Sequence, residues 1–473
     1  MTVLQNGALN VGRDGLVVTA TGGTNMSTVT SNVAINAPRN AILATGVTGP
    51  LTINANASLN GQAGRGIDVT GTGAGAATLN VNAGLTGGLA GIRVDTVAAS
   101  TINIATAGNV SAANDLAIET PHGPITINNN GIVTGFVHLA SGSDTFNNNA
   151  SATWFTHSAG TAGSTSVFGP GNDVLFNRGT IVAARGGNIP ETVVFSGLAD
   201  FVNGDPTRAG PGLISMQDGG ANDTLITTGS FTGVGNSALA VDTFLGPPGS
   251  TSDRLAVGGN VSGNTLVKVN DVNTGPGAFN PTGITVVTVQ GTGSNNFKVD
   301  PTSPNYINFG PLGAINKGFF IDPLLYVPGA GALPNAYKFF GLPGPFAFNM
   351  PVAHTGAQSI FQETADVWED RQDEVRNCMR HGLIAAGLGA GGSVDLTGPT
   401  PGNLAGPLPG DPAGPMPVKA VGPPCRNAAP ASGPSSWGVI QHGPSPSIWA
   451  LPLGRNSPAS TSTTATARRP VPS

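Results

Sequence analysis

The triplet Ile53-Asn54-Ala55 decides the fold, because an apolar residue followed by Asn returns about every 25 residues in the first third of the chain. The later copies are Leu79-Asn80-Val81, Ile102-Asn103-Ile104 and Ile127-Asn128-Asn129. A period of about 20 to 50 residues indicates that one supersecondary unit is stacked repeatedly. About 25 residues therefore form one coil of a repeat fold.

Two other sets of apolar residues keep the same spacing. The first set is Leu59, Leu85, Val110 and Val133. The second set, with Ile42 one coil upstream, predicts an inward row of Ile67, Ile92, Ala117 and Val137. Stacking at about 4.8 Å buries apolar side chains that one coil alone cannot bury, and equivalent Asn residues are expected to hydrogen-bond as an amide ladder. The sequence predicts an all-β fold, a right-handed parallel β-helix with three short strands per coil.

The composition narrows the functional classes. Charged residues make up 10 % of the chain, Gly accounts for 71 of 473 residues, and the formal net charge is −5. No basic patch suited to phosphates is present, so nucleic acid is excluded as an expected partner. The sequence has no run of about 18 apolar residues, so no membrane helix is predicted. Residues Met1 to Asn10 lack the basic and apolar segments that are typical of a signal peptide. Cys378 and Cys425 show no metal-ligand spacing.

The pattern of the sequence changes after residue 250. Longer strands are predicted from Ser252 to Val299, followed by a group of aromatic residues that we expect to close the apolar end of the solenoid. A single helix is predicted from Ala357 to His381, because apolar residues recur there at helical spacing. Four regions are predicted: β-helix repeats at residues 1–250, a β-helix cap at 251–345, an amphipathic helix at 346–383 and a Pro/Gly-rich disordered tail at 384–473.

Two segments resemble a known family. The stretch from Ser252-Asp253-Arg254-Leu255 through Gly291 is similar to the pertactin-like autochaperone region at the C-terminal end of autotransporter (type V secretion) passengers. The helix from Gln358 to Trp368, with Asp370-Arg371-Gln372, resembles the segment that precedes the family's translocator barrel. The resemblance implies a passenger displayed at the outer membrane of a Gram-negative bacterium, where the autochaperone caps the β-helix and seeds its folding.

The chain departs from the family pattern at both ends. The family has a Sec signal at its start and a membrane barrel at its end, and the sequence after Leu383 does not supply the alternating strands that a barrel needs. We therefore expect a passenger truncated before its barrel. The outer membrane is then a partner only through a barrel that this sequence does not encode.

An enzyme is the first alternative, because β-helices also carry polysaccharide lyases and hydrolases. The nearest constellation is Arg65, Asp68, Arg93, Asp95 and Glu119 on adjacent coils. Asp68 and Arg93 occupy equivalent repeat positions, which predicts a solvent-exposed cross-strand pair more readily than a catalytic site.

Other chemical motifs are weaker. Gly169-Pro170-Gly171-Asn172-Asp173-Val174-Leu175 approaches a calcium-binding repeat, but it occurs once, and Gly219 to Asp223 matches it only in part. A plain Asp/Asn turn explains both segments. No G-x-S-x-G occurs, and the six histidines lie in no triad context. The aromatic segment from Trp154 to His157 is expected in the core.

These observations predict no catalytic, cofactor-binding or metal-binding residues. The expected role is a non-enzymatic scaffold for adhesion or self-association, with a host or neighbouring-cell surface as partner. The alternatives are a β-helical carbohydrate-active enzyme and a non-functional gene remnant.

Overall fold

The computed structural model describes residues 1–387, apart from 10, 21–24, 72, 74, 140 and 188. The described residues fall into two units, the first ending at Phe361 and the second beginning at Gln362. The first unit is a β-solenoid of about ten turns, in which each strand pairs in parallel with its equivalents in the neighbouring coils. The predicted stacked parallel β-fold is therefore confirmed. We name its three columns of strands ladders 1, 2 and 3, in the order in which most coils cross them.

Ladder 1 contains the Asn-centred repeat and forms an 11-stranded sheet. Its strands are Thr2–Gln5, Ser27–Ser31, Leu51–Ala55, Ala77–Val81, Ser100–Ile104, Ile125–Asn129, Thr145–Asn148, Asp173–Asn177, Leu198–Asp205, Ser230–Gly235 and Val261–Gly263.

Ladder 2 follows ladder 1 in each coil, and most of its strands are short, whereas Asn109–His122 has 14 residues. Its strands are Ile35–Ala37, Leu59–Gly61, Gly84–Gly87, Asn109–His122, Ile132–Leu139, Thr153–Phe155, Thr180–Val182, Leu213–Ser215, Ala238–Thr243, Thr265–Asp271 and Phe297–Val299.

Ladder 3 completes each coil, and Asn109–His122 and Ile132–Leu139 run on into it from ladder 2. Its other parallel strands are Leu16–Thr19, Ile42–Thr45, Arg65–Thr70, Ala90–Asp95, Gly163–Val167, Thr192–Ser196, Thr224–Thr227, Arg254–Val257 and Asn280–Val289.

The observed register confirms the predicted columns of ladders 1 and 2. Ile53 pairs with Leu79, and Leu85 lies between Leu59 and Val110. All of these side chains are buried. Each contributes about 1.5–3 kcal/mol by leaving water, which is why the coil cannot fold without its neighbours.

The predicted row of ladder 3 is wrong at one position. Ile118, and not Ala117, lies between Ile92 and Val137. The chain is irregular just before this point, where Asp115 adopts a φ of 67° and the register with the next coil shifts after Leu116. A single extra residue of this kind moves every following side chain to the opposite face, and a repeat spacing alone does not reveal it.

Two Asn ladders run along the axis of ladder 1. The outer ladder is half-buried, and its amide groups bond in sequence at 2.8–2.9 Å through Asn54, Asn80, Asn103, Asn128 and Asn147. The inner ladder is fully buried, with bonds of 2.7–2.9 Å through Asn129, Asn148, Asn177 and Asn203. The outer ladder confirms the predicted column of hydrogen-bonded Asn residues. The inner ladder was not predicted from the sequence.

Replacing Asn177 with Ala is expected to lower the free energy of unfolding by about 1–3 kcal/mol, because buried partners would lose their hydrogen bonds. Asn177 accepts from Asn148 and donates to Asn203 and to Leu213 O. Asn103→Ala in the half-buried outer ladder is the matched control and should cost less than about 1 kcal/mol, since water can replace the amide. Urea unfolding followed by circular dichroism measures both. Equal losses would contradict the distinction between the ladders.

Large aromatic side chains join the aliphatic ones in the core of the later coils. A continuous row of buried rings, which we call the aromatic spine, begins near residue 146 and reaches the C-terminal end of the solenoid. Successive ring centroids lie 4.6–6.0 Å apart along Phe146, Trp154, Phe195, Phe201, Phe231, Phe297 and Tyr337. Rings in stacked and edge-to-face contact add stability beyond their buried area.

An antiparallel meander follows the last parallel coil. Asn335–Pro343 pairs antiparallel with Asn280–Val289 and then with Phe320–Val327. The remaining strands, Ala314–Lys317 and Tyr306–Ile307, continue the meander. Of the aromatic group predicted to close the solenoid, Tyr337 and Phe339 are fully buried, whereas Phe309 and Phe319 are exposed. The change of strand direction ends the parallel stacking.

The part of the chain that the structure describes has one helix, α1, which spans Pro345–Gly387 and is longer than predicted. Its start at Pro345 fits the preference for Pro in the first turn, where the missing N–H has no partner to lose. Residues 384–387 are therefore helical, and the rest of the predicted disordered tail lies outside the described residues. Several apolar side chains are exposed, namely Ile360, Phe361, Val367, Trp368, Val375 and Met379. The described part of the chain contains no helix with the length and hydropathy to cross a membrane.

Candidate functional site

The candidate charged constellation lies on the outer face of ladder 3, where three successive coils place ionic side chains next to one another. Arg93 is in register with Asp68 on one side and with Glu119 on the other. Arg65 and Asp95 lie at the ends of the same strands. The predicted stacking of Asp68 with Arg93 is therefore confirmed. We call these five residues the charged cluster.

Every carboxylate of the charged cluster faces a guanidinium group. Asp68 lies 3.5 Å from both Arg65 and Arg93. Glu119 lies 3.1 Å from Arg65 and 3.6 Å from Arg93, while Arg93 also donates to Asp95 at 2.5 Å. Together these contacts form one connected network across three coils.

The network is less exposed than the sequence indicated. Asp68 is only 7 % exposed to solvent, because the flanking arginines cover it. The interpretation as a solvent-exposed pair is wrong in this respect. Long arginine side chains pack their stems along a sheet and leave little room for water between stacked coils. Since both arginines already bind carboxylates of the cluster, the geometry resembles a structural ion-pair network more than a substrate site.

A second set of acidic side chains is fully buried at the start of three ladder 3 strands. Glu191, Asp223 and Asp253 stack in consecutive coils, and the backbone N–H of each of the first two donates to the carboxylate of the next coil. These bonds measure 2.7 Å for Glu191 N to Asp223 Oδ1 and 3.1 Å for Asp223 N to Asp253 Oδ1. Burial raises the pKa of Asp223 to about 7 and that of Asp253 to about 8. Neighbouring carboxylates also raise the pKa values of Asp223 and Asp253, because like charges oppose ionisation.

The carboxylate of the calcium-like segment bonds to a neighbouring coil, and not to its own turn as the sequence predicts. Asp144 N donates to Asp173 Oδ1 at 2.7 Å, and Ile125 N donates to Asp144 Oδ1 at 2.8 Å. Both carboxylates are therefore used to bind backbone groups of the preceding coil. Within the described ranges, no group of three or more His, Cys, Asp or Glu side chains is placed to hold a metal ion.

The aromatic segment from Trp154 to His157 lies mainly in the core. Trp154 is fully buried and donates from Nε1 to Gly135 O at 2.9 Å, which confirms the sequence prediction. His157 is also fully buried, and its Nε2 lies 3.2 Å from Glu191 Oε1. This pair could not be predicted from the sequence, because the two residues lie more than a coil apart and neither belongs to a recognisable motif.

Comparison with known proteins identifies the C-terminal coils. The family model Autochaperone Domain Type 1 matches residues 210–302. This range covers the last strands of ladders 1 and 2 and part of the buried carboxylate stack. The chain is also similar to the probable autotransporter YfaL of Escherichia coli (strain K12), with 39 % identity over 122 residues. That match covers 25 % of this chain and only 9 % of the relative.

The matched region has the fold expected of its family, since its parallel coils continue those before it and lead into an antiparallel meander. The parallel solenoid, the matched family and the similar autotransporter agree with one another. These findings support an autotransporter passenger with an autochaperone region.

Proposed function

We propose that this passenger is a non-enzymatic scaffold for adhesion or self-association at the surface of a Gram-negative bacterium. Autotransporters secrete their passengers to the cell surface, which fits a host or neighbouring-cell surface as the partner. Because the chain spans only 9 % of the relative it matches, the activity of that longer protein is not transferred to it.

The observation that supports this proposal is the uncharged outer face of ladder 1. From Thr28 to Asn147 its outward positions carry only hydroxyl and amide side chains, repeated in register over successive coils. Surface depressions such as the one lined by Thr224, Arg254 and Thr285 are open and shallow. A repetitive polar face favours many weak contacts with a broad surface, and avidity then supplies the strength.

Beads coated with the full chain test this role. We expect them to clump together or to adhere to cells, whereas beads coated with an unrelated protein of similar net charge should do neither. Clumping indicates self-association, and adherence indicates a partner on the cell. The absence of both at high coating density would contradict the proposal.

The charged cluster favours one alternative, a carbohydrate-active enzyme, because it brings three carboxylates and two arginines together on an outer face. Release of reducing ends from plant and capsular polysaccharides measures this activity. We expect no release by the native chain. Cleavage that is lost in Asp68→Asn, with the fold retained, would replace the scaffold proposal with an enzymatic function.

A further inference from the structure

The outer face of ladder 1 carries a regular two-column array of hydrogen-bonding groups. In five consecutive coils the strand presents Thr and then Asn two residues later, with an inward apolar residue between them. The rows are Thr52/Asn54, Thr78/Asn80, Thr101/Asn103, Thr126/Asn128 and Thr145/Asn147. Rows lie about 4.8 Å apart, and the two columns about 6.6 Å apart. We call this surface the Thr/Asn array.

The Thr column retains free hydrogen-bonding capacity. Among the residues that the structure describes, the hydroxyls of Thr52, Thr78, Thr101, Thr126 and Thr145 have no hydrogen-bonding partner, although they are half-buried by their neighbours. Each hydroxyl can therefore donate one hydrogen bond and accept others. The inward Ile, Leu and Phe residues between the columns fix the strand, and so they fix the positions of the hydroxyls.

The Asn column is preorganised and only partly used. Four of the five amides donate one N–H to the Asn Oδ1 of the preceding coil, as in Asn103 to Asn80 at 2.9 Å, and Asn54 donates to the hydroxyl of Thr30. One N–H and one lone pair of each internal amide therefore remain for a ligand. Because the ladder already holds these side chains in one orientation, a ligand does not have to order them.

An apolar surface continues the array at its C-terminal end. In the next coil Val174 is in register with Thr145, and Phe176 is in register with Asn147. Phe176 is half-buried, and the Arg178 guanidinium lies over one face of its ring at 5.0 Å from the centroid, so a ligand would have to use the other face. An aromatic ring beside amide and hydroxyl groups is suited to the C–H face of a sugar ring, which stacks on the aromatic while its hydroxyls bond to the polar groups.

We propose that the Thr/Asn array is the binding site for a neutral, extended β-linked polysaccharide that runs along the solenoid axis. This inference deepens the proposed adhesive function by naming its partner and its surface. The ring-to-ring repeat of such a chain is comparable to the strand spacing, so successive sugars meet equivalent rows. The absence of charge across these rows favours a neutral polymer over an anionic one.

A second protein copy fits this face less well. Five rows at about 4.8 Å give a strip about 20 Å long and two side chains wide, which is far below the ~800 Å² per partner of a stable protein interface. A single polysaccharide chain is narrow enough to bury its contacts on such a strip.

Affinity electrophoresis of the full chain through native gels tests the site, with hydroxyethylcellulose as the neutral probe and alginate as the anionic comparator. We expect hydroxyethylcellulose, but not alginate, to retard the native chain, with little dependence on salt. Thr101→Lys/Thr126→Lys, which places two long charged side chains in adjacent rows, should weaken retardation at least about tenfold.

The matched control is Ser111→Lys/Thr134→Lys, which changes two half-buried outward positions in register on ladder 2. It should change retardation less than about twofold. If the lysine pair in the array prevents folding, Thr101→Val/Thr126→Val removes the hydroxyls while keeping residues that favour strands. No retardation of the native chain by hydroxyethylcellulose, or equal losses in the array and control variants, would overturn the assignment. If coated beads still adhere in that case, the adhesive function stands and only this site is wrong.

Discussion

Replacing Phe231 with Ala is expected to lower the free energy of unfolding of the passenger by about 3–5 kcal/mol, the range for deleting a large buried aromatic side chain. Phe231 is fully buried within the region that matches the autochaperone family. Its ring lies 5.3 Å from Phe201 in an edge-to-face contact and 6.0 Å from Phe297 in a stacked one. The substitution removes both contacts and leaves a cavity that the stacked coils cannot close.

The effect should extend beyond stability. In a solenoid each coil touches only its neighbours, so the loss of one interface uncouples the coils on either side. We therefore expect urea unfolding of Phe231→Ala to broaden or to separate into two steps. Phe244→Ala, at a side chain that is 38 % exposed, is the control and should cost less than about 1 kcal/mol. A single sharp transition with the native midpoint would contradict the role of the aromatic spine.

The repeat spacing was enough to predict the coils, because burial forces every coil to present the same apolar positions. Ile53, Leu79 and Ile102 are in register for this reason. The same reasoning failed at Ala117, where one irregular residue shifted the register. The aromatic spine could not be predicted in this way, because most neighbouring rings in it come from different ladders and share no repeat spacing.

Some of the side-chain clusters could likewise be predicted from the sequence, and others could not. The charged cluster could be predicted because Asp68, Arg93 and Glu119 occupy equivalent positions in adjacent coils. The pair of His157 and Glu191 could not, because it joins different corners of the solenoid. The Thr/Asn array was visible only in part, since the sequence showed the Asn column but not that the Thr hydroxyls beside it have no partner within the described residues.

The stability of the passenger is expected to fall as the pH rises from about 5 to about 8, owing to buried carboxyls with raised pKa values. Burial raises the pKa of both Asp144 and Asp223 from 3.8 to about 7. Between these values the unfolded chain has lost the proton and the folded chain has kept it. Folding therefore binds protons, and raising the pH opposes it. Each carboxyl should contribute about 1–3 kcal/mol to this fall, at about 1.4 kcal/mol per pKa unit.

Asp144→Asn/Asp223→Asn is the variant that tests this dependence. In each residue Oδ1 accepts one backbone hydrogen bond while Oδ2 has no partner, so Asn keeps the bond and places its NH₂ group at the unpartnered position. Urea unfolding at about pH 5 and about pH 8 should show a smaller fall in the variant. Asp253, whose pKa is about 8, leaves a residual slope. Asp200→Asn, at an exposed side chain, is the control and should leave the native fall unchanged. If the native stability rises with pH over this range, or if the double variant keeps the whole fall, these carboxyls are ionised in the folded passenger. Their backbone hydrogen bonds would then outweigh the cost of burial.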